Sequence, residues 1–278
     1  MNTNITPDEI MVVCMSHQIR NRETVAQGLA TPLVAAAYLL ARHTHAPDLY
    51  FTSAIGQSIC RKPAPLSISN VESQWLDLSL TSVGFTRAAV DILPTLCPKE
   101  FFRPAQVDPF GNFNNIGFGK NYLEEGYKHP RLRLPGTGGI PDVTTYSEDV
   151  YLYVPRHSRV VFVPELDVRS GLGYTLDRTH GAGPKYLISD KGQFDFTGGR
   201  MRLVSYHPQE SIEIIKSHTG FDLAISPEVG ETLMPTSNEL ELLRNEIDPL
   251  GIRRLEFLSG APRRQLLHDI LNKERKLL

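Results

Sequence analysis

A single open α/β domain with a mixed, largely parallel sheet is the fold class expected from this 278-residue chain. Two observations carry that expectation. The first fifty or so residues read as helix, strand, helix, strand, and a strand–helix–strand unit implies a crossover between parallel neighbours. Farther on, short apolar runs alternate with Gly, Pro and Asp, and one closes on Asp190-Lys191-Gly192 like a hairpin, which adds antiparallel pairing.

The elements follow in order. Thr6-Pro7-Asp8-Glu9 supplies a cap hydroxyl, a proline preset for the first turn and a glutamate three residues past the cap. A helix is expected from there to about residue 20, with Ile10, Val13, Cys14 and His17 at helical spacing. Residues 23–27 read as a short strand ending at Gly28. Thr31-Pro32 repeats the cap and proline and opens a second helix to about residue 43. Leu49-Tyr50-Phe51-Thr52 then forms the kind of continuous apolar strand that is buried on both faces. Later strands are expected at 132–134, 150–154, 160–163, 186–189, 193–196 and 201–206, and helices at 211–218, 237–247 and 262–278. The reading is one domain over residues 1–250 and a helical tail over 251–278.

Composition narrows the function classes. Hydrophobic residues make up 41% and charged residues 22%, enough apolar material for a real core. With 29 Lys+Arg against 31 Asp+Glu the net charge is -2, which argues against a nucleic-acid or anionic-membrane binder. Cys14, Cys60 and Cys97 lie far apart without CxxC spacing, so neither a disulfide framework nor a metal site is expected. Residues 1–9 lack the basic-then-apolar pattern of a signal peptide, and the apolar stretch 29–41 is too short to span a bilayer. A cytoplasmic chain is the expectation.

Two segments stand out as candidates for chemistry. Gln106-Val107-Asp108-Pro109-Phe110-Gly111-Asn112-Phe113-Asn114 holds a turn signature, Asp-Pro-x-Gly-Asn. It reads equally well as a surface turn or as a strand end aiming the amides of Asn112 and Asn114 into a site. Pro135-Gly136-Thr137-Gly138-Gly139 lets a backbone approach a ligand and aim N–H groups at a polarised oxygen. It is neither a dinucleotide fingerprint, since the third glycine spacing is missing and no clear helix follows, nor a P-loop. His43 and His45 make a poor metal pair, and His207 reads as a strand-end residue. Trp75 reads as a core or interface anchor, and 272–276 as a solvated helix face.

Taken together, the chain resembles the β-type subunit of class I coenzyme A transferases, particularly the glutaconate CoA-transferase branch. The matching residues are those from Gln106 to Asn114, His129-Pro130-Arg131 through Gly136-Thr137-Gly138-Gly139, and Thr144-Thr145-Tyr146-Ser147. Val204-Ser205-Tyr206-His207-Pro208, Thr219-Gly220-Phe221-Asp222-Leu223 and Glu246-Ile247-Asp248-Pro249 follow in the same order. The resemblance runs from about Thr6 to Pro249. It implies an open α/β subunit that pairs with an α-type subunit, as a heterodimer or heterotetramer, around an acyl-CoA substrate. It also implies coenzyme A without a metal. Gly56, Gln106, Asn112, Asn114, Gly136, Gly138 and Gly139 are the binding residues it points to, with the glycine loop against the thioester oxygen.

In such enzymes a glutamate at the end of an early strand attacks the thioester, giving an acyl–enzyme anhydride. That glutamate is absent here: the strand runs into Ser53-Ala54-Ile55-Gly56-Gln57, and no acidic residue occurs between Phe51 and Val71. A serine hydroxyl without a base is a weak nucleophile. A smaller glutamate-less branch contains a ring-opening hydrolase of a steroid-derived acyl-CoA and a decarboxylase of glutaconyl-type esters. Ser170-Gly171-Leu172-Gly173-Tyr174, Phe194-Asp195-Phe196 and Pro235-Thr236-Ser237-Asn238-Glu239-Leu240 resemble that hydrolase. In this reading the general base sits on the α-type partner. Cys60 is a second nucleophile candidate whose alternative is packing. Three outcomes stay open: CoA transfer, hydrolysis or decarboxylation, and a non-catalytic CoA-binding scaffold.

Overall fold

The computed structural model describes residues 4–28, 31–53, 58–119, 130–176 and 178–276. They form two compact units. Unit 1 comprises Met1–Ala88, Pro98–Glu100 and Leu233–Leu278; unit 2 comprises Ala89–Cys97 and Phe101–Thr232.

Unit 1 opens with α1 (Pro7–His17), β1 (Thr24–Gln27), α2 (Pro32–His43) and β2 (Tyr50–Ser53). β1 and β2 pair in parallel, with Ala26 opposite Thr52 and Gln27 opposite Ser53, so the crossover reading holds. β3 (Ser58–Cys60) and β4 (Thr81–Ser82) add antiparallel strands beyond β2, with α3 (Val71–Asp77) between them in sequence. On the other side of β1 lies β5 (Lys99–Phe102), parallel to it, with Glu100 opposite Ala26. The short α4 (Phe85–Arg87) closes this part of the chain.

Burial explains why these segments hold. Every residue from Asp8 to Ser16 in α1 and from Leu33 to Ala41 in α2 is buried, and the two helices pack on each other. The capping box forms as its sequence predicts, Thr6 N donating to Glu9 Oε2 at 3.0 Å. The second helix is capped differently. Thr31 turns its hydroxyl back to the Gly28 carbonyl, and the first-turn N–H of Leu33 instead donates to Glu256 Oε1 at 2.9 Å. Arg253 is buried between Asp8, Glu9 and Asp248, tying α1 to a 3-10 turn at Ile252–Glu256.

After α8 (Ser237–Glu241) and a π-helical turn at Leu242–Ile247, the tail forms α9 (Gly260–Glu274). Glu274 departs from the expected solvated face. It is buried and accepts the N–H groups of Ile68 and Ser69 at 2.8 and 2.9 Å, because that loop has no strand partner for those donors. Trp75 is 1% exposed against Phe51 and acts as a core anchor.

Unit 2 contains α5 (Leu93–Leu96), a ribbon of β6 (Gln106–Val107) with β7 (Phe113–Asn114), and a ribbon of β8 (Gly117–Phe118) with β9 (Leu132–Arg133). α6 (Ile140–Tyr146) leads to β10 (Val150–Val154), which pairs in parallel with β11 (Pro184–Ser189). β11 and β12 (Gly192–Asp195) form the expected hairpin, β13 (Arg202–Tyr206) continues it antiparallel, and β14 (Ala224–Glu231) returns parallel to β13 across α7 (Ile212–His218). Phe113, Leu152, Phe162, Leu187, Phe194 and Leu203 sit at the centre of its core.

Three sequence expectations differ here. Residues 160–163 make a turn, since Val161 and Phe162 both donate to the Ser158 carbonyl, and only an isolated bridge joins Phe162 to Val107. β14 escaped the sequence because Pro227 and Gly230 interrupt its apolar pattern. A two-turn helix, α6, does follow the glycine loop.

Candidate functional site

In unit 1 the parallel strands β5, β1 and β2 bring three polar side chains toward one edge. Open α/β sheets bind ligands outside the carboxyl ends of their strands. Ser53 is the last residue of β2 and is buried beside Gln27, the last residue of β1. The loop that follows Ser53, including Gly56, lies outside the described residues. Side chains alternate between sheet faces, so Ser53 and Gln27 share one face while Thr52, Ala26 and Glu100 share the other. Glu100 is therefore not the base of Ser53: the two strands are two spacings, roughly 10 Å, apart and the side chains point oppositely.

Glu100 is distinctive in its own right. Its Oε1 lies 3.6 Å from the point where a side chain at Gly28 would begin, with the Thr31 methyl nearby, so the carboxyl runs past Ala26 to the end of β1. Burial raises its pKa from 4.5 to about 8, and no charged group contributes to the shift. Its chain neighbour Lys99 is engaged elsewhere, donating to Glu23 Oε2 at 2.7 Å. Sequence reading missed this residue because 99–102 was not recognised as a strand. The available signal was an acidic residue directly before the aromatic pair Phe101-Phe102, shortly after Pro98.

Cys60 is fully buried in β3. Its Sγ lies 3.7 Å from Ser58 Oγ and 3.8 Å from the Trp75 carbonyl, and burial pushes its thiol pKa up. A buried thiol with a raised pKa is a poor nucleophile. A cavity of about 640 Å³ in unit 1, lined by Leu39, Arg42, Lys62, Leu66 and Glu274 among others, contains none of the candidate catalytic or binding residues, though the segment Glu246-Ile247-Asp248-Pro249 lines part of it.

In unit 2 the polar segment is woven into the fold. Asn112 donates to Asp108 Oδ2 at 2.9 Å and accepts from Gly173 N at 2.8 Å. Asn114 donates to Gln106 Oε1 and the Gly117 carbonyl, both at 2.8 Å, and accepts from Ile116 N. Gln106 Oε1 also accepts from Asp167 N. These amides close the turn and bind it to the 170–173 segment; Gly173 has no room for a side chain, since a Cβ would meet Asn112 N at 2.3 Å. Asp108, held by that turn, has its pKa raised by burial against the bonds from Asn112 and Phe110.

The glycine loop is the opposite case. Gly136, Gly138 and Gly139 have φ of +108°, +52° and +95°, a region L side chains avoid. Among the described residues, nothing lies within 4 Å of the space a side chain would take at Gly136 or Gly138, so towards them the loop shows bare backbone. Gly139 caps α6, and Pro141 and Asp142 fall in its first turn. Such backbone is suited to approach by a carbonyl oxygen. Among the described residues no cluster of His, Cys, Asp and Glu has the spacing to hold a metal, and no helix is long and apolar enough to cross a membrane.

No protein-family model matches the chain. The β-type polypeptide of glutaconate CoA-transferase from Acidaminococcus fermentans is 30% identical over 269 residues, spanning 89% of this chain and 94% of that one. The solved structure of that transferase matches with a TM-score of 0.77, covering 93% and 99% of the two chains at 26% identity. The cholesterol ring-cleaving hydrolase IpdB subunit of Mycobacterium tuberculosis is 28% identical over 267 residues, 91% of this chain and 99% of its own. A crystal structure of the decarboxylase AibA/AibB matches with a TM-score of 0.75 and 30% identity, covering 90% and 98%. This similarity over most of the chain places it in the CoA-transferase family, as the β-type subunit of a heteromeric enzyme.

Proposed function

We propose that this chain is the β-type subunit of a two-subunit enzyme that cleaves a carbon–carbon bond of an acyl-CoA ester, not one that exchanges CoA through an acyl–glutamate. The observation that carries the reading is Ser53, a neutral hydroxyl at the end of β2 where the family resemblance calls for glutamate. A glutamyl anhydride transfers readily to a thiolate; a serine ester formed without an adjacent base does not. The similarity to a ring-cleaving hydrolase subunit and to a decarboxylase supports the same chemistry. In this reading the Gly136–Gly139 backbone holds the thioester oxygen, where negative charge gathers once a neighbouring bond breaks. An α-type partner completes the active site.

The test is direct. The purified two-subunit complex is given glutaconyl-CoA and, separately, a 3-oxoacyl-CoA, each with and without acetate. Acceptor-independent loss of CO2 or of the carbon–carbon bond is expected. Formation of acetyl-CoA that requires acetate would overturn the proposal in favour of CoA transfer, the reading favoured by the 30% identity to the glutaconate CoA-transferase polypeptide. Gly138→Val is expected to abolish turnover; unchanged turnover would favour a scaffold role. Asn112→Ala reports on folding instead, because its amide is spent within the turn.

A further inference from the structure

A bare glycine backbone polarises a thioester oxygen only if something fixes where that backbone stands. We infer that Arg178 is the positioning residue of the glycine loop, holding Gly136–Gly139 where its N–H groups meet the oxygen. This role rests on the loop binding the thioester as proposed above, and it adds the residue that sets the loop's place.

All the parts lie within unit 2. The loop takes its position from α6: the Thr137 carbonyl accepts from Ile140 N and the Gly139 carbonyl from Val143 N, both at 3.1 Å. That helix has seven residues, too few to hold together alone, and of them only Thr144 is buried, with Ile140 and Val143 resting on the core. Its far end is clamped by Arg178, whose five N–H donors all go to backbone carbonyls. Nη2 donates to the Thr144 carbonyl at 3.0 Å and the Leu172 carbonyl at 2.7 Å. Nη1 donates to Thr145 at 3.3 Å and His180 at 2.7 Å, and Nε to Gly173 at 3.0 Å. Leu172 N closes the clamp from its own side, donating at 3.0 Å to Thr144 Oγ1, which in turn donates to the Ile140 carbonyl at 2.8 Å.

The other jaw of the clamp is itself anchored. Gly173 N donates to Asn112 Oδ1 at 2.8 Å, and Phe113 N to the Gly171 carbonyl at 3.0 Å. Among the described residues no carboxylate pairs with Arg178, so its part here is the planar fork and not the charge. A lysine, with its donors on one nitrogen, cannot span carbonyls from both segments. The space around the fork is closed as well: at Gly181, with φ of +65°, a Cβ would meet Arg178 Nη1 and the Thr145 carbonyl at 2.8 Å each.

The experiment uses the two-subunit complex with crotonyl-CoA carrying carbon-13 at its carbonyl. Infrared difference spectra follow that carbonyl band, which moves to lower frequency when hydrogen-bond donors polarise it. The wild type is expected to shift the band on binding, and Gly138→Val to abolish the shift. Arg178→Lys and Gly181→Ala, shown by circular dichroism and size-exclusion chromatography to be folded and assembled, are expected to lose most of it while still binding crotonyl-CoA. In both, kcat on glutaconyl-CoA is expected to fall about 100-fold with KM changed by less than about threefold. Arg202→Lys, the same exchange at an arginine of unit 2 that pairs with Asp195 outside the clamp, is expected to keep the wild-type band. A full wild-type shift in Arg178→Lys, or in Gly181→Ala where the lysine variant fails to assemble, overturns the inference and leaves the loop's role standing. Loss of the shift in Arg202→Lys also overturns it, since any weakening of unit 2 would then suffice. A wild-type band that does not move, or that Gly138→Val leaves shifted, refutes the loop's part in the proposed function and the role of Arg178 with it.

Discussion

Replacing Glu100 by glutamine is expected to stabilise the protein at neutral and alkaline pH and to change nothing near pH 4. The folded chain holds this carboxyl's pKa at about 8, above the 4.5 of the unfolded chain, because burial disfavours the charged form. The folded state therefore binds the extra proton. Its stability is fully present below pH 4.5 and declines as pH rises to about 8. At about 1.4 kcal/mol for each pH unit of displacement, the wild-type carboxyl costs about 3 kcal/mol at pH 7 and about 5 kcal/mol above pH 9. Glutamine keeps the shape and never ionises. At roughly 2 °C per kcal/mol for a chain of this size, Glu100→Gln should melt about 6 °C higher at pH 7. Scanning calorimetry of both complexes at pH 4, 7 and 9 measures the difference directly. A shift independent of pH, or a variant that melts lower than wild type at pH 8, would refute the raised acid.

Other outcomes follow from the same structure. Gly173→Ala would push a methyl to within 2.3 Å of Asn112 N and the Phe110 carbonyl; a loss of several kcal/mol is expected in urea unfolding, and a loss under 1 kcal/mol would contradict the tied turn. Arg253→Met leaves Asp8 and Asp248 buried without their cation, costing about 3–5 kcal/mol by the same measurement. Glu274→Ala strips the acceptor from Ile68 N and Ser69 N, at about 1–3 kcal/mol. Iodoacetamide at pH 8 should alkylate Cys97, which is exposed, while Cys14 and Cys60 react only on unfolding; mass spectrometry that finds Cys60 labelled in the native protein would revive it as a nucleophile. Ser53→Glu restores a carboxylate and should bring detectable acyl exchange onto acetate if that hydroxyl is what withholds it.

Local chemistry was legible in the chain. Thr6-Pro7-Asp8-Glu9 set the start of α1, alternation and a Lys-Gly turn set the β11–β12 hairpin, and the crossover unit announced the parallel β1–β2 pair. The missing glutamate at Ser53 was likewise a matter of reading residues in order. What the sequence could not decide was partnership at long range. Whether Asn112 faces a ligand or a neighbouring strand depends on Gly173, 61 residues away, and whether Thr31 caps α2 depends on Glu256, which takes the Leu33 donor first. Glu100 is the sharpest case. A carboxylate's strength is set by solvation and by what stands opposite it, and only the pairing of β5 with β1, next to a residue lacking a side chain, brings that carboxyl out of water and leaves it without a counter-charge.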